Sequence, residues 1–304
     1  MATARGQRAG RLTSRARLGG RPPIRPPAVK VTIWGSRGSL ATAGPETVRY
    51  GGNTSCVEVS ASDGTTLVLD AGTGVRSLGQ RLAEGRGVIH VLLSHLHMDH
   101  IQGLGFFKPF FQGGREIHVW GPPSTTLDLR SRLTRYLSPP LFPVRIGDIE
   151  SDLVLHDISP GSWHAGEFEI RAESVIHPGP TVGYRITDGS ACVAYLPDHE
   201  PALGGTSWTP AWTSGHALAA DADLLIHDSQ YTPGEYAERI GWGHSSVDDA
   251  VAFAEAARVR RVVLFHHDPD HDDTAVDRML QAARRASRSV EVVSASEGST
   301  FELG

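Results

Sequence analysis

The chain has 304 residues, of which 39 % are hydrophobic, and it carries a formal net charge of −5. This length allows a large core, and no apolar run is long enough to span a bilayer, so we expect no membrane-spanning segment. The only cysteines, Cys56 and Cys192, exclude a disulfide framework and a thiolate zinc site, and they favour a reducing compartment, namely the cytoplasm.

The first 28 residues differ in composition from the rest of the chain. They contain seven arginines and no acidic residue, and they lack the apolar segment of a secretory signal. We therefore predict a disordered basic tail over 1–28 and a single domain over 29–304. Because the whole chain carries −5 and the tail +7, the domain carries −12. A body this acidic disfavours nucleic acid as a partner, unless a local patch overrides the average.

Apolar runs and alternating patterns predict two successive series of strands with helices between them. The first series of strands is predicted at 29–34, 54–60, 65–69, 88–93 and 116–120, with helices at 75–83 and 126–137. The second series is predicted at 152–158, 167–176, 182–187, 192–196, 224–226, 260–265, 291–294 and 300–303, with helices at 246–258 and 274–287. This alternation indicates an α/β fold in which two mixed β-sheets pack together and helices cover them outside.

The predicted strand 88–93 runs directly into a turn that is rich in histidine. The turn contains His95, His97, Asp99 and His100. Imidazole and carboxylate are the ligands that zinc prefers where no thiolate is present. His95 and His97 can converge on one metal ion, and Asp99 and His100 can face a second. A solvated polar turn is the alternative, but four ligand-type side chains at this density favour a metal site.

Three further side chains of the ligand type stand at the ends of predicted strands. They are His177, Asp198 and His266. Taken singly, each is explained equally well as a turn or cap residue. Taken with the histidine-rich turn, they supply the additional ligands that two four-coordinate metal ions require.

The neighbours of these positions need separate interpretation. His267 and Asp268 directly follow His266, so either could also serve the site. His227 and Asp228 are interpreted as structural residues at a strand end.

The order of these residues resembles the metallo-β-lactamase superfamily over nearly all of residues 29–304. The residues that carry the resemblance are Asp70, the His-x-His-x-Asp-His element at 95–100, His177, Asp198 and His266. The stretch 243–246 (Gly-His-Ser-Ser), followed by a helix and a strand that leads to His266, resembles the tRNase Z and cyclic phosphodiesterase branch. The stretch 224–229 (Leu-Leu-Ile-His-Asp-Ser) is similar to that branch as well.

The resemblance implies an αββα sandwich with a site for two Zn²⁺ ions per chain. It implies that His95, His97 and His177 hold one zinc ion, that Asp99, His100 and His266 hold the other, and that Asp198 bridges them. Asp70 would orient the histidine-rich turn without binding metal.

The chain departs from the tRNase Z pattern at two places. Pro197 precedes the bridging Asp198, where that branch usually has glycine. Only the 20 residues 178–197 separate His177 from Asp198, and bacterial tRNase Z carries in this interval a long arm that grips tRNA. The missing arm and the acidic body both favour a small substrate.

We therefore predict a zinc-dependent phosphodiesterase that hydrolyses a small cyclic phosphodiester, such as a cyclic nucleotide or a cyclic sugar phosphate. The zinc ions would lower the pKa of a shared water to about 7. Asp99 would accept a proton from that water, and His244 would protonate the departing alkoxide. Trp208, Trp212 and Trp242 could stack against a base.

Three alternatives stay open at this point. The chain could process tRNA 3′ ends, or it could hydrolyse a lactone, thioester or lactam with the same metals. His244 argues against acyl hydrolysis, because acyl hydrolases of this superfamily generally lack the corresponding element. A non-catalytic binding protein is the third alternative, and the intact ligand set argues against it. The sequence leaves open the exact substrate and whether the protein forms a homodimer.

Overall fold

The computed structural model of the protein describes residues 1–2, 29–159, 161–201, 203 and 212–304. The strands in these ranges are β1 (Val29–Gly35), β2 (Cys56–Ala61), β3 (Thr66–Leu69), β4 (Ile89–Leu92), β5 (Glu116–Gly121), β6 (Asp152–Asp157), β7 (Gly161–Ala165), β8 (Phe168–Ser174), β9 (Val182–Thr187), β10 (Cys192–Leu196), β11 (Leu224–Asp228), β12 (Arg261–Phe265), β13 (Glu291–Ser294) and β14 (Thr300–Leu303). The helices are α1 (Val75–Leu82), α2 (Met98–Ile101), α3 (Leu129–Thr134), α4 (His216–Ala219), α5 (Pro233–Ala237), α6 (Val247–Ala256) and α7 (Asp273–Ala286).

The strands form two mixed sheets of seven strands each. The first sheet has the order β14-β1-β2-β3-β4-β5-β6, and the second has the order β13-β12-β11-β10-β9-β8-β7. Strands β3 to β6 run parallel to one another, and so do β10 to β13. Because parallel strands end at the same edge of a sheet, residues that follow β3, β4, β10, β11 and β12 gather at one edge of the sandwich.

Three apolar layers hold this architecture together. The central layer lies between the sheets and includes Val31 of β1 and Phe168 of β8. A second layer packs Phe253 of α6 against the outer face of the second sheet. A third packs Leu78 of α1 and Leu133 of α3 against the outer face of the first sheet. Helices thus cover both outer faces, and the predicted αββα sandwich is confirmed.

The structure differs from the predicted elements at several places. The short helices α2, α4 and α5 were not predicted. Strands β6 and β14, predicted in the second series, form the two edges of the first sheet. Strand β7 was not predicted, because its exposed edge position lacks an alternating apolar pattern. Helix α3 is shorter than predicted, since the Asp128 side chain accepts a hydrogen bond from the Ser131 backbone (2.7 Å) and thereby starts the helix at Leu129. Strand β11 extends through Asp228, two residues beyond the predicted end.

Some predictions concern features outside the core of the fold. Cys56 and Cys192 are both free and buried. The predicted tail falls almost entirely in 3–28, outside the described residues, so the division of the chain at residue 28 stays a prediction. In the described part of the chain, no helix combines the length and the hydropathy that crossing a bilayer requires.

Candidate metal centre

The histidine-rich turn connects β4 to α2 at the shared sheet edge. His95 and His97 lie in the segment that precedes α2, and His97 has an extended backbone with φ −66° and ψ 153°. Asp99 and His100 lie in the first turn of α2, where the chain has already become helical. Because of this change of backbone conformation, His95 and His97 point to one place, and Asp99 and His100 point to a second place next to it.

One of these points is surrounded by three histidines. The metal-binding nitrogens of His95, His97 and His177 all lie within 4.8 Å of one another. Nε2 of His177 is 3.2 Å from Nδ1 of His97. His177 comes from the loop between β8 and β9, so the second sheet completes a cluster that the first sheet begins. We call these three residues the histidine cluster.

The second point is surrounded by two carboxylates and two imidazoles. One donor atom from each of Asp99, His100, Asp198 and His266 lies within 4.8 Å of the others. Nε2 of His266 is 3.1 Å from Oδ2 of Asp99. Oδ2 of Asp99 also accepts a hydrogen bond from the Ser39 backbone (2.7 Å), which fixes the carboxylate in place. We call this group the mixed cluster.

Asp198 lies between the two clusters and offers one carboxylate oxygen to each. Its Oδ1 is 3.0 Å from Nε2 of His100 and 3.3 Å from Nε2 of His266. Its Oδ2 is 3.7 Å from Nε2 of His95 and 3.9 Å from Nε2 of His177. This arrangement suits a carboxylate that bridges two cations, which is the role that the resemblance implies. Pro197 therefore does not remove Asp198 from the site.

The environment of these donors fits a divalent metal ion. His95 Nε2 and Asp198 Oδ1 are buried without a hydrogen-bond partner in the described part of the chain, although such burial costs free energy. Burial, followed by the nearby His100, holds the pKa of His95 well below its usual range. A histidine must be neutral and a carboxylate ionised to bind metal. Seven imidazole and carboxylate side chains without a thiolate suit zinc or a similar ion.

Several imidazoles are anchored through Nδ1 and direct Nε2 inward. His100 Nδ1 is 2.8 Å from Oδ2 of Asp70, and His177 Nδ1 is 2.9 Å from the backbone oxygen of Gly243. His266 Nδ1 is 3.1 Å from Oε1 of Gln230. Because each partner is a hydrogen-bond acceptor, the proton resides on Nδ1 and the lone pair on Nε2. Such outer hydrogen bonds are the usual support of metal-binding histidines.

Asp70 has the position that the resemblance implies for it. Its Oδ1 accepts from the Ser94 backbone (2.7 Å), and its Oδ2 accepts from the Ser94 hydroxyl (2.8 Å) and the Tyr195 hydroxyl (2.8 Å) as well as from His100. The residue is fully buried and has a left-handed backbone with φ 57°. Asp70 therefore holds the start of the histidine-rich turn and one imidazole of the mixed cluster.

His266 follows β12 with the same left-handed backbone conformation, φ 62°. Its ring packs so close to Gly38 that a Cβ atom there would lie 2.3 Å from Nδ1, so only glycine fits. The adjacent His267 points away and bonds to a backbone oxygen in the β13–β14 loop. Asp268 accepts a hydrogen bond from Nε2 of Gln230 (3.0 Å), the residue that anchors His266. Of the two neighbours, only Asp268 thus has a connection to the site.

His244 stands beside both clusters and pairs with Asp228, the last residue of β11. Nδ1 of His244 is 2.7 Å from Oδ2 of Asp228 and 3.8 Å from Oδ2 of Asp198. Burial alone would lower the pKa of His244, but the Asp228 carboxylate and then Asp198 raise it to about 9. Ser246, rather than His244, caps α6 by accepting from the Asp249 backbone. Asp228 was interpreted as structural from the sequence, and its pairing with His244 was missed.

Glu200 is a second residue whose contribution the sequence did not reveal. Its buried carboxylate accepts from the backbone nitrogens of Gly241 (2.8 Å) and Gly243 (2.7 Å) and from the Tyr236 hydroxyl (2.9 Å). Gly243 has φ +92°, and a Cβ atom there would lie 2.3 Å from Nδ1 of His177. Glu200 therefore holds the loop that contacts His177 and leads into His244.

Two cavities adjoin the clusters. One of about 390 Å³ lies over His95 and His97, and another of about 580 Å³ lies beside His244 and Trp242. Of the two predicted stacking residues that the structure describes, Trp242 lines a cavity and Trp212 does not. Trp212 is 89 % exposed, and Trp208 lies outside the described residues.

Comparisons with known proteins identify the family of this chain. The family model described as "Beta-lactamase superfamily domain" matches residues 65–267. Ribonuclease Z of Natronomonas pharaonis is 25 % identical over 282 residues, which cover 79 % of this chain and 87 % of that protein. The metallo-beta-lactamase fold protein YhfI of Bacillus subtilis has a TM-score of 0.67 at 23 % identity, over 90 % of this chain and 99 % of that one. A diphosphatase from the PhnP family has a TM-score of 0.62 at 20 % identity, over 91 % of this chain and 98 % of that one.

The position of Asp70 yields a prediction about metal affinity. Asp70→Asn should weaken binding of a divalent metal roughly 10–100-fold, as is typical when an outer partner of a metal-binding histidine is removed. The reason is that an amide presents an N–H group where Ser94, His100 and Tyr195 require an acceptor. Competition with a chelator measures the affinity. Asp223→Asn is the matched control, because Asp223 accepts from the Cys192 backbone away from the clusters. Equal affinities in the two variants would contradict the assigned function of Asp70.

Proposed function

This chain belongs to the β-lactamase superfamily, in its tRNase Z and phosphodiesterase branch. We propose that it is a zinc-dependent phosphodiesterase that hydrolyses a small cyclic phosphodiester. A cyclic nucleotide or a cyclic sugar phosphate is the class of substrate we have in mind. The observation that carries the proposal is the His244–Asp228 pair beside the two ligand clusters. Hydrolysis of a phosphodiester releases a strongly basic alkoxide, so a positioned proton donor suits this reaction.

We propose that two metal ions bind, one held by the histidine cluster and one by the mixed cluster, with Asp198 shared between them. Zinc is the metal we favour, because all seven donors are imidazole or carboxylate. When bound, the two ions would neutralise phosphate charge and lower the pKa of water toward about 7.

The chain's own residues supply the proton transfers in this proposal. Asp99 keeps one carboxylate oxygen fixed by the Ser39 backbone and lies at the mixed cluster, where it can accept a proton from the attacking water. Asp228 occupies Nδ1 of His244 and leaves Nε2 free to donate to the departing oxygen. The raised pKa of His244, at about 9, favours the protonated form that a general acid needs.

Two features of the structure support a small substrate. The interval 178–197 is occupied by β9 and β10, which pair as an antiparallel hairpin with Cys192 opposite Thr187. The two strands fill most of this interval, so it leaves no room for the long arm that the resemblance implies for bacterial tRNase Z. In addition, residues 29–304 carry a net charge of −12, which disfavours a long polyanion.

A ribonuclease Z activity is the second candidate, because a curated relative with 25 % identity bears that name. If the chain has this activity, a tRNA precursor should be a better substrate than a small cyclic phosphodiester. A direct comparison of the two substrate classes therefore separates the candidates.

We expect kcat/KM on a cyclic mononucleotide to exceed that on a tRNA precursor by roughly tenfold or more, because the acidic domain repels a polyanion. Both substrates should be compared with zinc-loaded protein at the same salt concentration. The comparison should be repeated after deletion of residues 1–28, so that the seven arginines of the tail do not contribute. Efficient trimming of tRNA by the shortened protein would contradict the proposal.

His244→Ala should reduce kcat on a cyclic nucleotide by about 10²–10⁴-fold, the usual contribution of a general acid. The loss on a p-nitrophenyl phosphodiester should be much smaller, because p-nitrophenolate leaves without protonation. The variant should retain its metal ions, since His97, His100 and the other predicted ligands are unchanged.

His164→Ala is the control for this substitution, because His164 is an exposed histidine on the edge strand β7. It should leave both activities at the wild-type level. Equal losses of His244→Ala on the two substrates, or loss of metal, would show that His244 supports the site without acting as the acid.

A further inference from the structure

The cavity over the histidine cluster has an unusual composition for so acidic a domain. Its volume is about 390 Å³, and residues of α2, α3 and the segment 178–180 line it. The apolar part of its wall consists of Leu96, Met98, Ile101, Tyr136 and Leu141. Its charged part consists of Arg132 and Arg135, and the described residues that line it include no carboxylate.

The two arginines differ in how they are bonded. Arg132 donates to Oδ1 of Asp157 (2.7 Å) and to the Pro122 backbone oxygen (2.7 Å), so its guanidinium is already satisfied in part. Arg135, at the end of α3, forms no side-chain hydrogen bond or ion pair with any residue in the described ranges, and it is exposed. An unpaired guanidinium presents a planar set of donors that matches a phosphate or carboxylate group.

The second cavity is separate from this one. It contains His244, Trp242 and Tyr231, and only Pro178 lines both spaces. In the proposed function, His244 protonates the departing oxygen, so the departing group lies toward His244. The rest of the substrate then lies toward the histidine cluster and the cavity that contains Arg135.

We propose that Arg135 binds a second phosphate group, carried by the part of the substrate that remains away from the departing oxygen. The preferred substrate is then a phosphodiester with a further phosphate, joined by a sugar or nucleoside that packs on the apolar wall. This inference rests on the proposed phosphodiesterase function. It assigns Arg135 to substrate specificity and not to the chemical step.

The test uses two chromogenic esters that need neither a general acid nor a cyclic substrate. They are thymidine 5′-(p-nitrophenyl phosphate) and the same compound with a 3′-phosphate. The wild-type protein should hydrolyse the 3′-phosphorylated ester with the lower KM. Arg135→Gln should raise that KM roughly tenfold, the lower end for a charge-assisted hydrogen bond, with kcat little changed. The KM of the ester without the 3′-phosphate should not change.

Arg130→Gln is the matched control. Arg130 lies on the same helix, but it lines a different depression together with Asp128 and Asp157. It should leave both KM values unchanged. Bis(p-nitrophenyl) phosphate, which has no second anionic group, reports on the phosphodiesterase activity itself.

The outcomes separate this inference from the function on which it rests. Hydrolysis of bis(p-nitrophenyl) phosphate without preference for the 3′-phosphorylated ester overturns the inference alone. Equal effects of Arg135→Gln on both nucleoside esters overturn it as well, since they indicate a general change of the site. Failure to hydrolyse any of the three esters overturns the proposed function and this inference with it.

Discussion

The site depends on one buried carboxylate, Asp70. It accepts hydrogen bonds from the backbone and hydroxyl of Ser94, from His100 and from the hydroxyl of Tyr195. Ser94 follows β4 in the first sheet, whereas Tyr195 belongs to β10 in the second, so this carboxylate joins the two sheets where the clusters lie. Four hydrogen bonds thus converge on one residue, and they hold it in a left-handed backbone conformation that costs about 1–2 kcal/mol.

The parts of the site that directly follow predicted strands could be predicted from the sequence. Four ligand-type residues follow β4, and Asp198 and His266 follow two parallel strands of the second sheet, so strand direction brings each set to the end of its sheet. His177 follows β8, which pairs antiparallel with β7 and β9, so its place in the site depends on the tertiary fold. The resemblance to a known superfamily assigned them to two groups, and the structure gathers the same residues into two clusters. Their function as metal ligands stays a prediction until metal is measured.

Other features depend on tertiary contacts that no local pattern encodes. In the sequence, nothing distinguishes Asp228 from other carboxylates at strand ends. In the structure, the loop at 241–244 brings Nδ1 of His244 to 2.7 Å from Oδ2 of Asp228. That loop is in turn held by Glu200, 41 residues before Gly241 in the chain. The cavity with Arg132 and Arg135 could not be predicted from the sequence either. The net charge of −12 for residues 29–304 does not indicate that one cavity has no carboxylate among its described lining residues. Average charge therefore speaks against a long polyanion but not against a small anionic ligand.

We propose that two metal ions occupy the two clusters and share Asp198. Anomalous X-ray scattering from crystals of zinc-loaded protein, recorded on both sides of the zinc absorption edge, tests it most directly. Two peaks are expected, one among His95, His97 and His177 and one among Asp99, His100 and His266, with Asp198 in contact with both. A single peak, or peaks elsewhere in the molecule, would contradict it.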